Sequence, residues 1–364
     1  MKAAVLRTVH QPLTIEEVDI STPGPHEVLI QTAAAGVCHS DVHFQQGLYP
    51  CPTPIVLGHE SAGIVAAVGS EVRYVQPGDH VITCLSVFCG HCNYCTTGRP
   101  NLCNRVDTLR RADEPPRLSQ RGEVMHQFAN LSSYAEQMLV HEHAVVKIRE
   151  DMPLDKAALI GCGVTTGVGA VINTAKVPPG STVAVIGCGG VGLSAIQGAA
   201  IAGAGRIIAI DTRPSKLELA QICGATDLVN ASEGDPVTQV KDLTGGGVEY
   251  AFEAIGLKQT AEQAFYMLAK GGTATVIGMI PVGTKIELHG PDFLQEKKIQ
   301  GSSMGSNRFR VDMPRYVDMY LHGKLKLDEM ITREITLAQI NEAFEALLGG
   351  EVARQVIHFA IYRE

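Results

Sequence analysis

The chain reads as an α/β protein in two parts: a β-rich unit, and a doubly wound unit built on a parallel sheet. Three observations carry that reading. Residues 1–148 hold many short apolar runs between Pro/Gly turns, the pattern of a barrel-like all-β unit. From Pro178 onward strands alternate with apolar helices, the pattern of a parallel sheet. At the first strand-to-helix junction stands Gly187-Cys-Gly189-Gly190-Val191-Gly192, a glycine-rich turn at which a backbone can approach a pyrophosphate.

Composition bounds the rest. At 364 residues the length suits two domains. A net charge of −8 without runs of like charge argues against a nucleic-acid partner. Met1-Lys-Ala-Ala-Val-Leu-Arg7 is charged too early for a secretory signal and reads as a strand. Two uncharged runs, 157–175 and 183–205, are long enough to raise a membrane span, but glycines break both. No membrane contact and a cytoplasmic location are expected. The ten cysteines then read as metal ligands and ordinary thiols rather than a disulfide framework.

In chain order, Val28–Thr32, Ala62–Val68 and Asp79–Thr83 read as strands. Between the first two lie Gly36-Val-Cys38-His39-Ser40-Asp41-Val-His43 and Gly58-His59-Glu60. Cys38 and His59 are ligand types that borderline-soft zinc prefers, and a catalytic zinc needs a third protein ligand. Cys162, within Gly161-Cys-Gly-Val-Thr-Thr-Gly167, is the candidate. Taken alone it fits a small buried hydrophobe as well; flanking glycines and the missing ligand turn the reading. Ser40 also fits a helix cap, and His43 one face of that helix.

Cys89, Cys92, Cys95 and Cys103 have the spacing of a closed structural zinc site, within a lobe spanning 86–104 that is expected to lack regular structure. Residues 104–133 show no period and read as a loop, the arginines around Arg110 and Arg111 forming a solvated face. Residues 134–148 return to strands. Leu154–Thr174 reads as helix, interrupted at Gly161–Gly163.

The fingerprint strand Ser181–Ile186 is followed by an apolar helix and a strand Arg206–Ile210 ending at Asp211, 19 residues past Gly192. An acid there accepts from ribose hydroxyls and repels a 2′-phosphate, pointing to NAD; Arg213 leaves NADP open. Further strands are expected at 226–229, 248–252 and 273–277. Residues after about 304 are expected to return to the first domain. The expected domains are 1–163 with 305–364, and 164–304.

With these motifs placed, the chain resembles the zinc-dependent medium-chain alcohol dehydrogenases over essentially its whole length. The resemblance implies a GroES-like catalytic domain beside the Rossmann domain. It implies Cys38, His59 and Cys162 on a catalytic zinc, with Glu60 behind it or as an alternate ligand and Asp41 orienting His59. The four-cysteine lobe gives a second zinc per subunit. It further implies that Ser40 and His43 relay the substrate proton, and that His39, Lys216, Ile277 and Arg354 join the fingerprint in holding NAD. Leu85 and Thr166 would line the substrate pocket, where a leucine leaves room for a medium-sized allylic or aromatic primary alcohol. A dimer or tetramer is implied. The rival enzyme reading is a thiol-dependent formaldehyde dehydrogenase, for which Arg110 or Arg111 would have to supply the anion contact. The non-enzyme reading, a zinc- and nucleotide-binding sensor, would be expected to have lost a ligand or relay residue, and none is lost.

Overall fold

The computed structural model describes residues 1–104, 106–111, 113–350 and 352–360. The chain divides into two compact units, Met1–Cys162 with Arg308–Glu364, and Gly163–Asn307.

Two sheets build the first unit. One runs Thr14–Glu17, Lys2–Leu6, Ile55–Val56, Glu123–Gln127, Leu118–Gln120 and Asp19–Ile20. The other runs Val145–Lys147, His80–Thr83, Ser61–Val68, Glu27–Val37, Arg354–His358 and Ile331–Ile335, with Gln137–His141 also paired to Glu27–Val37. The strand Glu27–Val37 is its spine. It is buried at almost every position, and from Ala33 to Val37 its residues are all small or apolar, as close packing on both faces requires. Arg354–His358 pairs antiparallel with its end, setting Gln355 against Val37 and Val356 against Gly36. That register brings Arg354 beside the metal-ligand stretch.

The helix Ile340–Gly349 closes one core. Its buried residues Ile340, Ala343, Phe344 and Leu347 fall at i, i+3, i+4 and i+7, a single apolar stripe. Gly350, at φ 71°, ends the helix in the left-handed conformation that glycine adopts without strain. The stripe packs against Val37, Val42, Leu57 and Tyr134. Each large apolar side chain so buried contributes roughly 1.5–3 kcal/mol, so the metal-ligand segments rest on a stiff base.

Residues 104–133 are more ordered than their composition indicates. Leu118–Gln120 and Glu123–Gln127 form an antiparallel hairpin, Gln120 opposite Glu123. The two-residue turn is Arg121-Gly122, with φ of 50° and 85°, the positive values of a type I′ hairpin turn. The expected interruption at Gly161–Gly163 is also absent. Helix continues from Leu154 to Ala175, but residues Ile160–Val164 and Ala170–Ala175 widen to π geometry. Gly161 stays in the helix because a side chain there would press on the Thr83 carbonyl at 3.0 Å; it permits close packing and does not end the helix. This run is long and apolar enough to cross a membrane, yet 83% of its most apolar window is buried in the protein.

The second unit is a six-stranded parallel sheet in the order Asp227–Asn230, Arg206–Asp211, Thr182–Ile186, Val248–Glu253, Leu268–Val276 and Lys298–Gly301. The chain runs outward from Thr182–Ile186 to one side, then returns to build the other. Its switch point therefore lies between that strand and Val248–Glu253, where ligands bind in open α/β sheets.

Candidate zinc centre and nucleotide loop

In the first unit, three chain segments deliver one ligand each. Cys38 is the last extended residue (φ −115°, ψ 145°) before the helix His39–Gln45. His59 follows Gly58, whose φ of +91° and lack of a side chain are both required: a Cβ would stand 2.6 Å from Ser133 Oγ and the Tyr134 backbone nitrogen. Cys162 sits within the π turn Ile160–Val164, a local widening that recurs at functional sites. Their ligand atoms all lie within 4.8 Å of one another, with His59 Nε2 3.2 Å from Cys162 Sγ. All three residues are buried.

The electrostatics are those of a cation site. A hydrogen bond from Cys162, together with the His59 charge, holds the Cys38 thiol well below its ordinary range although burial opposes it. The same bond, with burial, pushes Cys162 up. Burial alone would depress His59, but the charges of Asp41 and Cys38 outweigh it and raise the imidazole. Two thiols and an imidazole converging among buried residues match the donor set of a catalytic zinc with an open position. The residues fit the metal.

Behind the ligands, His59 Nδ1–H faces Asp41 Oδ1 at 3.2 Å. Asp41 Oδ1 also accepts from the Gly58 amide at 3.0 Å, and its Oδ2 accepts from the Tyr134 hydroxyl at 2.7 Å. Glu60, fully buried, is ion-paired with Arg354. Burial raises the Glu60 carboxyl while Arg354 opposes the rise. Gly36 exists for this pair, since any side chain there would collide with the Glu60 carboxylate. Arg354 Nε is buried without a hydrogen-bond partner, so the guanidinium keeps a donor beyond Glu60.

Around the centre, Ser40 Oγ accepts from Cys38 Sγ at 3.6 Å. His43 is half-buried, stacked against Tyr49 at 6.4 Å, with Nδ1 unpartnered. Burial lowers its pKa despite the Cys38 charge. His39 is exposed, its ring edge-on to His43 at 6.1 Å. Leu85 is half-buried against the cluster of Val81 and Val87.

The second cluster is Cys89, Cys92, Cys95 and Cys103, again within 4.8 Å. Here the backbone assists: the Cys89 amide donates to Cys103 Sγ at 3.2 Å and the Cys92 amide to Cys89 Sγ at 3.4 Å. The lobe is not wholly irregular, with one helical turn at Asn93–Thr96 and another at Pro100–Leu102. The Cys95 amide and neighbouring thiols bring Cys92 down to about 6, whereas burial pushes Cys95 up to about 12. Four thiols and no gap fit a structural zinc.

Two of the loop arginines, Arg110 and Arg117, depart from the expected solvated face. Both clamp the buried carboxylate of Glu27, and Arg110 also donates to the Thr22 and Pro115 carbonyls. Burial would raise Glu27, but the two guanidiniums bring it to about 2. The anion that Arg110 holds is the protein's own. Arg111 is exposed beside Asp113 and Glu114.

In the second unit the fingerprint glycines divide the work. Gly187, at φ +93°, makes the turn after the strand, and a Cβ would meet Ile255 at 2.5 Å. Gly189 faces open space, the position where a pyrophosphate can approach. Gly192 abuts the Gly187 carbonyl. Gly190 and Val191 begin the helix Gly190–Ile201, whose N-terminus favours anions. Asp211 Oδ2 accepts from the Cys188 amide at 2.8 Å and Oδ1 from the Arg213 amide at 3.1 Å, which orients the carboxylate at the strand end. Arg213 is exposed; Lys216 is half-buried in the helix Pro214–Ile222. The Ile277 amide donates to the Glu253 carbonyl at 2.8 Å. Thr166 is buried, its hydroxyl donating to Met304 Sδ at 3.3 Å. The glycine turn, the helix N-terminus and Asp211 fit a bound dinucleotide.

Comparisons with known proteins agree with this chemistry. The family description "Alcohol dehydrogenase GroES-like domain" matches residues 24–150, and "Zinc-binding dehydrogenase" matches residues 190–320. The chain is 42% identical over 368 residues to an alcohol dehydrogenase class-3 of Drosophila melanogaster, covering 98% of this chain and 97% of the relative. It is 40% identical over 366 residues to an S-(hydroxymethyl)glutathione dehydrogenase of Synechocystis, covering 98% and 99%. Among solved structures, benzyl alcohol dehydrogenase of Acinetobacter calcoaceticus superposes with a TM-score of 0.93 at 34% identity, covering 99% of both chains. A zinc-binding dehydrogenase of Sinorhizobium meliloti, bound to NADP, gives 0.84 at 29%, covering 98% and 99%. The chain belongs to the zinc-dependent medium-chain alcohol dehydrogenase family, oxidoreductases that act on an alcohol with zinc and a nicotinamide dinucleotide.

Proposed function

We propose that the chain reversibly oxidises primary alcohols with NAD, and that its preferred alcohol is the hydroxymethyl adduct of a low-molecular-weight thiol such as glutathione, which would leave as the S-formyl thioester. The carrying observation for the reaction is the buried Cys38–His59–Cys162 set, which holds two thiols and an imidazole beside the Ser40 hydroxyl. Full-length similarity to class-3 and S-(hydroxymethyl)glutathione dehydrogenases supports the adduct. With Arg110 committed to Glu27, Arg111 is an exposed guanidinium among the described residues of that loop that could meet an adduct's carboxylates. The second reading, a free aromatic or allylic alcohol, is favoured by the fold-level match to benzyl alcohol dehydrogenase and by the modest size of Leu85.

When bound, zinc would stabilise negative charge on the alcohol oxygen and NAD would take the hydride. The chain's own residues do the rest. Asp41 holds the His59 ring, the Glu60–Arg354 pair fixes charge beneath the ligands, and Ser40 Oγ receives the substrate hydroxyl proton. His43, kept neutral by burial, accepts it in turn. Asp211 supports NAD over NADP, because a carboxylate there opposes a 2′-phosphate. A homo-oligomer is supported by exposed Val282, Phe293 and Leu294 in the segment leading into the edge strand Lys298–Gly301. Ten cysteines joined by no disulfide suit a reducing cytoplasm.

The deciding experiment follows NADH formation from formaldehyde with and without glutathione, alongside benzyl, cinnamyl and ethyl alcohols. Oxidation of formaldehyde that depends on glutathione and exceeds every free alcohol in kcat/KM is expected. Thiol-independent turnover of benzyl alcohol as the best substrate would move the assignment to the second reading.

A further inference from the structure

We propose that Tyr134 is a positioning residue for the zinc centre, its hydroxyl fixing the Asp41 carboxylate and, through it, the ring of His59. The inference rests on Cys38, His59 and Cys162 holding zinc and is independent of which alcohol is oxidised.

Tyr134 and Asp41 are both 0% exposed, so no solvent reaches the contact. Asp41 Oδ1 is taken by the Gly58 amide at 3.0 Å and by His59 Nδ1 at 3.2 Å. The Tyr134 hydroxyl, at 2.7 Å, holds the other oxygen. A buried carboxylate oxygen without a donor is costly. Deprived of the hydroxyl, the carboxylate loses the contact that fixes its second oxygen and can rotate, which weakens the acceptor facing His59 Nδ1. An imidazole whose Nδ1–H is no longer held can shift its hydrogen to Nε2. That nitrogen, 3.2 Å from Cys162 Sγ, must present a lone pair to a metal.

The backbone places Tyr134 for this role. Its amide donates to the Leu57 carbonyl at 3.1 Å and its carbonyl accepts from the Ala4 amide at 2.8 Å. The ring packs edge-on to Phe344 at 6.3 Å. Tyrosine is therefore tied to the strand leading into His59 by its main chain and to the His59 orienter by its side chain. Deleting the hydroxyl alone leaves both the ring packing and the main-chain bonds in place.

The test is Tyr134→Phe in the full-length, zinc-loaded protein. Zinc content per chain and the affinity of each ion are measured by competition with a chelator of known zinc affinity. The catalytic ion is expected to bind about 10–100-fold more weakly, the usual consequence of removing an outer partner, while the four-cysteine ion is retained. The kcat should fall with the KM for NAD unchanged. Asp41→Asn should show a comparable loss, and the double variant little more than either alone. A zinc affinity in Tyr134→Phe within twofold of the parent would overturn the proposal, whatever happens to the melting temperature. So would additive losses in the double variant. A parent protein that binds a single zinc would remove the centre itself and this inference with it, a result distinguishable from two zincs with an indifferent Tyr134.

Discussion

The two cysteine clusters of the first unit use the same thiol chemistry in opposite ways. The lobe gathers Cys89, Cys92, Cys95 and Cys103 from one 15-residue stretch (103 − 89 + 1) and lies near the surface, its thiols receiving backbone N–H groups. The buried centre draws its ligands from positions 38, 59 and 162 and surrounds them with Asp41, Tyr134, Glu60 and Arg354. A closed four-thiolate site needs little beyond its own loop, because every coordination position is filled and its task is to stabilise local folding. A three-ligand site that keeps a position for substrate must be held by others, or the ligands would rearrange to close it. Where burial and support accumulate, chemistry is performed.

The sharpest way to break the comparison is to remove one ligand from each. His59→Ala should abolish alcohol oxidation, by about a thousandfold or more in kcat, while zinc analysis still finds one ion per chain and circular dichroism shows a folded protein. Cys103→Ser should do the reverse. It is expected to cost about 4 kcal/mol of folding free energy, lowering the unfolding midpoint by roughly 10 °C, with kcat per folded molecule changed little. Calorimetry and assays on both variants check the pair. Comparable loss of activity in both, at unchanged stability, would mean that the lobe takes part in catalysis.

The same contrast explains what was legible in the sequence. The lobe could be read from spacing because its ligands are neighbours in the chain. The glycine fingerprint was legible for a similar reason: strand, turn, helix and Asp211 follow one another within one βαβ unit. Asp41 and Glu60 stand inside the ligand motifs, but two supports of the buried centre are long-range and left no local trace. Tyr134 lies 93 residues from Asp41, and Arg354 lies 294 from Glu60. Arg110 and Arg117 looked like surface charge because their partner, Glu27, stands 83 and 90 residues away. The hairpin at 118–127 was hidden by its turn, Arg121-Gly122, which lacks the Asn-Gly or Asp-Gly signal. At Gly161 a helix breaker was expected, but close approach to the Thr83 carbonyl gives the glycine its purpose.

A finer test asks how far support for the open centre extends beyond its ligands. His43 is neither a ligand nor hydrogen-bonded to one, yet it is half-buried, with Nδ1 unpartnered and a depressed pKa. As the proposed proton acceptor it must be neutral. Burial moves its folded pKa below the ordinary value of about 6.5, so neutral imidazole dominates at pH 7 and is lost only as pH falls through that lowered pKa. The pH profile of kcat/KM should accordingly rise with pH on its acid side, with an inflection below 6.5. His43→Gln should remove that inflection and reduce kcat/KM at neutral pH by about tenfold, a modest effect because water can carry the proton at higher pH. A pH profile unaltered by His43→Gln would confine the support of the centre to the residues that touch its ligands directly.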